Sequence, residues 1–383
     1  MHRRISYLWS EPSAAAEYDT AVSLHGHTNH SKECLSFIAD FARKVPALQH
    51  ALAWEKQRAV REGGICIDFE RCYWTPPVSA WQAYGLESAQ IHDQLHLQSI
   101  VSLTDHENIH APALLRLLPE AAGTPISLEW TVFVGAGAEL HLGIHNLPER
   151  EAQALVARMN DCTARKDEAL MQELLAALHQ TPGVLTVLNH PMWDLCGIGR
   201  ARLRPMLADF IARYGEFLHA VELGGLRSWE ENQRAFEFAI ACGLPAVSGG
   251  DRHGTEPSAC LNLTNAASFA EFAEEVRTGH SHVLFMPQYA EPLAIRYIHT
   301  VNDSTATYPG SPLGAKWDER VFHPGHDGED QPVARLWEKP PAYLGAVLAL
   351  LRLLEAPPMK RLAQSFGRAG QQLQPNWSGE AAS

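Results

Sequence analysis

Residues 171–190 read MQELLAALHQTPGVLTVLNH and contain one complete helix-to-strand unit. The apolar residues from Met171 to Leu178 recur three and four positions apart, which is the spacing of one helix face. Thr181-Pro182-Gly183 then ends the helix, because proline and glycine interrupt helical hydrogen bonding. The apolar run 184–189 predicts a buried strand, and His190 follows it at the carboxyl end.

The same alternation of strand and helix continues on both sides of this unit. Helical spacing recurs over 38–45 and before Gly243, a predicted helix cap. Strands separated by helices pair in parallel, so we predict an α/β fold, and about eight such units favour one barrel over two small domains. The further predicted strands are 20–25, 99–104, 125–134, 139–145, 220–223, 245–248 and 282–286.

Two regions interrupt the alternation, and they suggest how the chain is divided. Residues 63–90 are a predicted insertion rich in aromatic residues and proline, which either covers the mouth of the barrel or packs as a surface loop. Residues 1–300 would form the barrel. Residues 301–383 would form a partly irregular C-terminal extension outside the site, with one helix at 344–354 and a weakly ordered end after Gly367.

Composition limits the classes of protein to which the chain can belong. It has 383 residues, of which 46% are apolar and 20% charged, and a formal net charge of −13. These values exclude a disordered polyelectrolyte, and the acidic charge disfavours sequence-independent binding of long nucleic acids. The seven cysteines include no Cys-x-x-Cys pair, which favours reduced thiols in a cytoplasmic protein. No secretory signal is expected, because no apolar stretch follows Arg3 and Arg4, and the most apolar run, 343–351, is too short to span a membrane.

Histidines are numerous, 20 in all, and several stand at predicted strand ends. His25 and His27 flank Gly26, and residues two apart in a strand face the same side. The pair can therefore bind one metal ion, although a chance pair of surface histidines has the same spacing. Asp105-His106 follows the strand 99–104 and offers either a ligand with its partner or a helix cap beside a solvated histidine.

More polar residues lie at or near the ends of later strands. In the segment 249–253, GGDRH, Asp251 and His253 share one face if the backbone is extended, and carboxylate with imidazole suits Zn, Mn or Fe. Because the carboxyl ends of barrel strands converge on one face, the joint pattern favours a metal centre. Three further residues belong to the pattern, each of which taken alone is more readily a hydrogen-bonded core or loop residue: Glu129, His141 and His190.

The order H-x-H, T-D-H, in-strand Glu, H-L-G, N-H-P and G-x-D-x-H resembles the PHP (polymerase and histidinol phosphatase) superfamily over residues 25–253. The resemblance implies a distorted (β/α)7 barrel of the TIM-like kind that carries a phosphoesterase site. It implies a first metal ion on His25, His27, Glu129 and Asp251. It also implies a second ion held by His141 and His190, with Glu129 bridging the two ions.

The resemblance implies a third ion on His106, His253 and a residue late in the first motif. The family often has Asp five residues after the second histidine, where this chain has Lys32. Glu33 is the best substitute, and His30 is the alternative.

The sequence thus predicts a metal-dependent phosphoesterase, specifically a phosphatase, with two or three divalent ions (Zn, Mn or Fe). Clustered ions lower the pKa of a bound water, and the resulting hydroxide attacks the phosphoryl group. Arg252 either forms a fork to phosphate or faces solvent, and Arg227 is a weaker candidate. The predicted catalytic residues are Glu129, Asp251, His253 and Arg252.

The predicted substrate is a phosphomonoester of a small metabolite or a nucleotide, with neither a long nucleic acid nor a membrane as partner. Three alternatives stay open: a non-catalytic metal-binding or regulatory module, a nuclease, and an amidohydrolase-like hydrolase. The last class usually bridges its ions through a carboxylated lysine, whereas this chain has Glu129 at that position.

Overall fold

The computed structural model describes residues 2–35, 46–63, 68, 71–135, 138–325, 329–336 and 342–355. The predicted helical spacing over 38–45 and the chain end after Gly367 lie outside these residues. The strands of the described part are β1 (His2–Tyr7), β2 (Thr20–Leu24), β3 (Glu33–Cys34), β4 (Tyr73–Trp74), β5 (Gln98–Ser102), β6 (Leu128–Val134), β7 (Ala138–His145), β8 (Leu185–Leu188), β9 (Ala220–Gly224), β10 (Ala246–Gly249), β11 (Cys260–Thr264), β12 (His280–Phe285), β13 (Val321–Pro324) and β14 (Asp330–Pro332).

Helices connect most of these strands and begin at polar caps that the sequence supplies. Asp167, for example, accepts a hydrogen bond from the Leu170 amide at 3.0 Å, and Ser228 forms a capping box with Glu231. The α-helices are α1 (Pro46–Gly63), α2 (Ala80–Leu95), α3 (His110–Leu115), α4 (Ala152–Arg165), α5 (Glu168–Gln180), α6 (Arg200–Tyr214), α7 (Trp229–Ala241), α8 (Phe269–Arg277), α9 (Leu293–Ser304) and α10 (Ala342–Glu355).

The fold is mixed α/β, and two five-stranded sheets carry most of it. One sheet has the order β1-β12-β11-β2-β5, and the other has the order β10-β9-β8-β7-β6. The prediction of parallel pairing throughout was wrong in part, because β7 runs antiparallel to β6 and β8, and β11 runs antiparallel to β2 and β12. Residues 135–137 leave room only for a hairpin between β6 and β7, and a parallel pair needs a much longer crossover.

Isolated bridges bring the two sheets together at the carboxyl ends of several strands. Gly26 pairs with Arg252, and His106 pairs with Glu129, both in parallel orientation. Since the ladders form two open sheets, the predicted closed barrel stays a prediction. One bridge places the residues after β5 next to β6, and the other places the residues after β2 next to those after β10, where the predicted ligands lie.

A third sheet, with the order β14-β13-β4-β3, joins segments that the sequence analysis assigned to different regions of the chain. Strand β4 belongs to the predicted insertion, and β13 and β14 belong to the predicted C-terminal extension. Part of the insertion is regular structure, because α2 begins at Ala80 behind a Ser79 cap. The division at residue 300 stays a prediction, but β13 and β14 share a sheet with Glu33.

Helix α10 confirms the helix predicted at 344–354, and it packs loosely. Its described side chains are half-buried or exposed, with Leu350 at 55% and Leu353 at 60% exposure. Across the described residues, every helix is either too short or too polar to cross a membrane.

Candidate metal centre

Glu129 lies at the centre of the site, on β6, and its side chain is almost completely buried. A buried carboxylate needs partners, and here imidazole nitrogens surround both of its oxygens. Asn189, at the end of β8, also donates a hydrogen bond of 2.9 Å to Oε1. The histidines, with the distance from a ring nitrogen to the nearer carboxylate oxygen, are His25 (3.1 Å), His27 (3.4 Å), His106 (3.4 Å), His141 (3.2 Å) and His190 (3.1 Å).

The first predicted ligand group, around Asp251, is assembled from residues that follow β2 and β10. Asp251 Oδ1 lies 3.7 Å from His25 Nε2 and 3.6 Å from His27 Nε2. The His27 amide donates to the Arg252 carbonyl at 2.8 Å, which ties the two segments together. The backbone at Asp251 is left-handed, with φ of 49°, and the same holds for His25 at 61° and His190 at 28°. Such angles cost conformational energy and cluster at functional sites.

The second predicted ligand group takes His141 from β7 and His190 from the turn after β8. Both contact the Glu129 Oε1 atom, at 3.2 and 3.1 Å. Gly143 lies directly opposite Glu129 in the β6–β7 ladder. A side chain at this position would overlap Asn189 and His145, so the glycine of the H-L-G motif makes room for the Asn189 bond to Glu129.

The third predicted ligand group forms around Glu33 on β3. Its carboxylate lies 3.1 Å from His253 Nε2, 3.4 Å from His106 Nε2 and 3.4 Å from His27 Nδ1. Lys32 is exposed and pairs with Asp330, and the His30 ring lies against His110 with ring centroids 5.8 Å apart. Of the two alternatives for the late first-motif residue, the structure brings Glu33 into the cluster.

The sequence analysis missed Glu222 as a partner of the cluster. This residue lies on β9, is buried, and contacts His25 Nδ1 at 2.6 Å. A carboxylate on the outer nitrogen fixes the orientation of a histidine and directs its other nitrogen inward. The signal was available, since Glu222 is an acidic residue inside an apolar strand, as Glu129 is.

Asp105 is close to the cluster but serves the backbone. Its carboxylate accepts hydrogen bonds from the Thr28 amide at 2.6 Å and from the Thr28 hydroxyl at 2.7 Å. Burial raises the pKa of Asp105 to about 6, against the lowering effect of the Thr28 bonds. The residue therefore holds the loop that follows His27, as a partner and not as a ligand.

Electrostatics keep the carboxylates of the cluster ionised. Burial alone would raise the pKa of Glu129, Glu33 and Asp251, but neighbouring histidines and, for Asp251, Arg227 hold each pKa well below its usual range. Burial lowers the pKa of His27 to about 4, with His253 adding to the shift and Glu33 opposing it. Against the lowering effect of burial, the same carboxylates raise the pKa of His25 and His106 well above the usual range, so the three buried anions attract positive charge, whether ring protons or a metal ion.

Several buried atoms of the cluster have no hydrogen-bond partner among the described residues. They are His25 Nε2, His27 Nε2 and Glu33 Oε1. Unpaired buried polar atoms are costly, and metal coordination is one way to satisfy them. Mixed nitrogen and oxygen donors within 4.8 Å of one another fit Zn, Mn or Fe, so the residues present fit the predicted ions.

The structure does not support the prediction that Arg252 binds phosphate. Its buried guanidinium donates to Glu87 at 2.9 Å, to the Gly254 carbonyl at 2.7 Å and to the His27 carbonyl at 3.3 Å. Each of the three guanidinium nitrogens thus donates to the protein itself. Because Glu87 lies on α2, far away in sequence, no local pattern around Arg252 reveals this partner.

Arg227 is the arginine that contacts the ligands. It donates to the Asp251 Oδ2 atom and, at 3.1 Å, to the Tyr297 hydroxyl. Its guanidinium carbon lies 3.9 Å from the centroid of the Trp193 ring. Arg227 is only 4% exposed, and its Nε has no partner among the described atoms, so one donor is unused beside the cluster.

Neither a protein-family model nor a curated protein matches the chain. Solved structures with partial likeness include an amidohydrolase from Chromobacterium violaceum with bound sulfate and no metal (16% identity, 47% of this chain and 84% of that chain, TM-score 0.32). A candidate metal-dependent phosphoesterase from Bifidobacterium adolescentis has 15% identity over the same shares, with a TM-score of 0.30. PsfC from Pseudomonas syringae has 15% identity over 55% of this chain and 85% of that chain, with a TM-score of 0.36. Likeness at this level does not establish a family.

Proposed function

We propose that the protein is a metal-dependent phosphoesterase that hydrolyses a phosphomonoester of a small metabolite or a nucleotide. The observation that carries the proposal is the position of Glu129. Its two oxygens lie within 3.4 Å of nitrogens from five histidines, and Asp251 and Glu33 extend the same cluster on either side. A structural metal site needs about four ligands, so a cluster of this size favours several ions and catalysis.

In this proposal the ligands divide into three groups that share Glu129 or lie beside it. When bound, the ions would polarise phosphoryl oxygens and acidify a water molecule. Glu129 joins the first two groups, and the group around Glu33 would hold a third ion. The groups are His25, His27, Glu129 and Asp251; Glu129, His141 and His190; and Glu33, His106 and His253.

The chain's own residues would fix the orientation of these ligands. With an ion bound, the Nδ1–H of His25 would donate to Glu222, 2.6 Å away, and Nε2 would be left free as a ligand atom. The Nδ1–H of His253 donates to the Asp251 carbonyl at 2.9 Å and leaves Nε2 facing Glu33. Each ring is thereby held in the tautomer that a metal ligand requires.

Arg227 would bind a phosphoryl oxygen through its unused Nε–H, because a charged donor beside the ions complements the anion. Trp193, with 39% exposure, and Tyr297, with 41%, flank the arginine. They would limit the space at the phosphate and favour a small substrate. The net charge of −13 supports the same view, since long polynucleotides need a basic track.

We also propose that the two sheets close into the predicted seven-stranded barrel. The Gly26–Arg252 and His106–Glu129 bridges join β2 to the end of β10 and β5 to β6, which is the contact that closure requires. The predicted cytoplasmic location likewise stays a proposal.

The test is a side-by-side assay of mononucleotides, sugar phosphates and single-stranded oligonucleotides, with protein loaded separately with Mn²⁺, Zn²⁺ and Fe²⁺. We expect metal-dependent release of inorganic phosphate from one or more monoesters. Stepwise digestion of oligonucleotides that weakens steeply with salt would instead indicate a nuclease. Bound ions without turnover of any phosphoester would contradict the proposal and favour a non-catalytic module.

A further inference from the structure

The position of Glu33 depends on segments that are distant in sequence. Strand β3 contains only Glu33 and Cys34, and it pairs with Trp74 and Tyr73 of β4. Strand β4 in turn pairs with β13 of the C-terminal region. A two-residue strand has little stability of its own, so the neighbouring strands must fix the register that points Glu33 at the cluster.

Asp330 on β14 ties this sheet together at the residue before Glu33. Its carboxylate accepts from Lys32 Nζ at 3.1 Å and from the Tyr73 hydroxyl at 2.9 Å. The Lys32 ammonium lies 4.5 Å from the centroid of the Tyr73 ring. The Phe322 ring of β13 stacks on the same Tyr73 ring, with the two centroids 5.1 Å apart. A side chain from the C-terminal region thus contacts Lys32, the residue before β3, and Tyr73 of β4.

The same region is attached on the His253 side of the cluster. Asp303, near the end of α9, accepts hydrogen bonds from the Thr255 hydroxyl at 2.9 Å and from the Thr255 amide. Thr255 lies two residues after His253, whose ring contacts Glu33 at 3.1 Å. The C-terminal region therefore holds the neighbours of both members of the Glu33–His253 pair.

A buried arginine connects these two attachments. Arg320 is 1% exposed and donates to the Ser304 carbonyl at 2.7 Å and the Ala315 carbonyl at 2.9 Å. Its own carbonyl accepts from the Thr75 amide at 3.0 Å, directly after β4. The start of β13 is fixed in this way to the end of α9 and to β4 together.

From these contacts we propose that the described residues 303–325 and 329–332 position Glu33 and His253, and that Asp330 is a positioning residue for the third ligand group. This inference rests on the proposed metal-dependent function. It predicts that contacts of the C-terminal region control one ion selectively, because the ligands of the other two groups lie on β6, β7 and the ends of β2, β8 and β10. The segment would then adjust how readily the third ion binds.

A charge-swap experiment tests the proposal. The variants are Lys32→Glu, Asp330→Lys, the double variant, and Asp209→Lys as control, since Asp209 forms a comparable exposed pair with Arg213 on α6. One readout is the affinity of each Mn²⁺ ion by calorimetric titration. The other is hydrogen exchange of the Leu35 amide, which donates to the Cys72 carbonyl beside the β3–β4 ladder, in metal-free protein.

We expect Asp330→Lys to weaken the weakest-bound ion by about three- to tenfold and to speed Leu35 exchange, with the other ions unchanged. The double variant should restore both readouts, and Asp209→Lys should change neither. A double variant that stays impaired, or an Asp330→Lys protein with wild-type affinity and exchange, overturns this inference alone. A wild-type chain that binds no Mn²⁺ overturns the proposed function instead.

Discussion

Glu129 is the residue through which the ligand groups are connected, since both of its oxygens contact histidines. Replacing Glu129 by Gln keeps the shape of the side chain but removes the anion, and we expect hydrolysis to fall to background. Replacing Glu33 by Gln should cost less, because Glu129 is a ligand of two groups whereas Glu33 is a ligand of the third group alone. The comparison uses initial rates of phosphate release at saturating metal, and equal losses in the two variants would contradict this ranking.

Arg227 and Arg252 provide a matched pair for the phosphate contact. Arg227→Lys keeps a charge but loses the unused Nε–H, and we expect KM to rise about tenfold with the metal content unchanged. Arg252→Lys should lower thermal stability while it leaves KM close to wild type, because Arg252 donates to Glu87 and to backbone carbonyls. A larger KM effect in Arg252→Lys would restore the original prediction for that residue.

The motifs around the cluster were readable at the residue scale, but their partners were not. Glu129 and the histidines could be identified because each stands in or after an apolar strand. The orientation of the Arg252 side chain depends on its hydrogen bond to Glu87, and the position of Glu33 depends on Tyr73 and Asp330. Contacts between distant segments leave no local signal in a single sequence.

Strand β10 depends on a glycine at its end. A side chain at Gly249 would overlap the Glu222 carboxylate, which holds His25. We expect Gly249→Ala to destabilise the protein by about 1–3 kcal/mol and to weaken metal binding. Gly85→Ala is the control, because nothing lies near that position on α2 and alanine favours a helix by about 0.5–1 kcal/mol. Urea unfolding would measure the stability of each variant, and metal titration would measure its affinity for the ions. A Gly249→Ala protein with unchanged stability and affinity would contradict the position of the Glu222 carboxylate next to Gly249.

Helix α5 and strand β8 meet at a buried histidine that makes stability depend on pH. His219 accepts from the Thr186 amide at 2.9 Å, and burial, with Arg277 adding to the effect, lowers its pKa to about 3. The folded protein thus binds fewer protons than the unfolded chain between about pH 6.5 and 3, so stability falls as pH falls through this window. Unfolding of His219→Asn should depend less on pH between 7 and 5, and an unchanged slope would contradict the assignment.

At the element scale, most strands of the two large sheets and the helices α5, α7 and α10 followed from periodicity, because apolar runs and stop signals act locally. All eight predicted strands are present, with ends shifted by up to three residues. Six described strands were missed, namely β1, β3, β4, β11, β13 and β14. Strand β1 carries the polar residues His2, Arg3 and Arg4, β11 is a short run interrupted by Asn262, and the other four have only two to four residues each. Pairing direction was predicted less well, since it depends on connection length and not on the strand itself.

At the scale of the whole molecule, the sequence places no motif ligand beyond residue 300, and we expect removal of residues 367–383 to leave metal content unchanged. Elemental analysis of the shortened protein checks this directly. The Asp330→Lys variant is the comparison, because it is expected to weaken the binding of one ion. Loss of bound metal on removal of 367–383 would show that these residues also contribute to metal binding, which would contradict the prediction.

The central claim is that the Glu129 cluster holds catalytic divalent ions, and counting those ions tests it most directly. Wild-type protein and Glu129→Gln would be dialysed against Mn²⁺, Zn²⁺ and Fe²⁺ in turn, and the metal per chain measured by mass spectrometry. We predict two or three ions per wild-type chain and a loss in Glu129→Gln, because the first two groups share that carboxylate. Less than one ion per wild-type chain with every metal, or equal contents in the two proteins, would contradict the account.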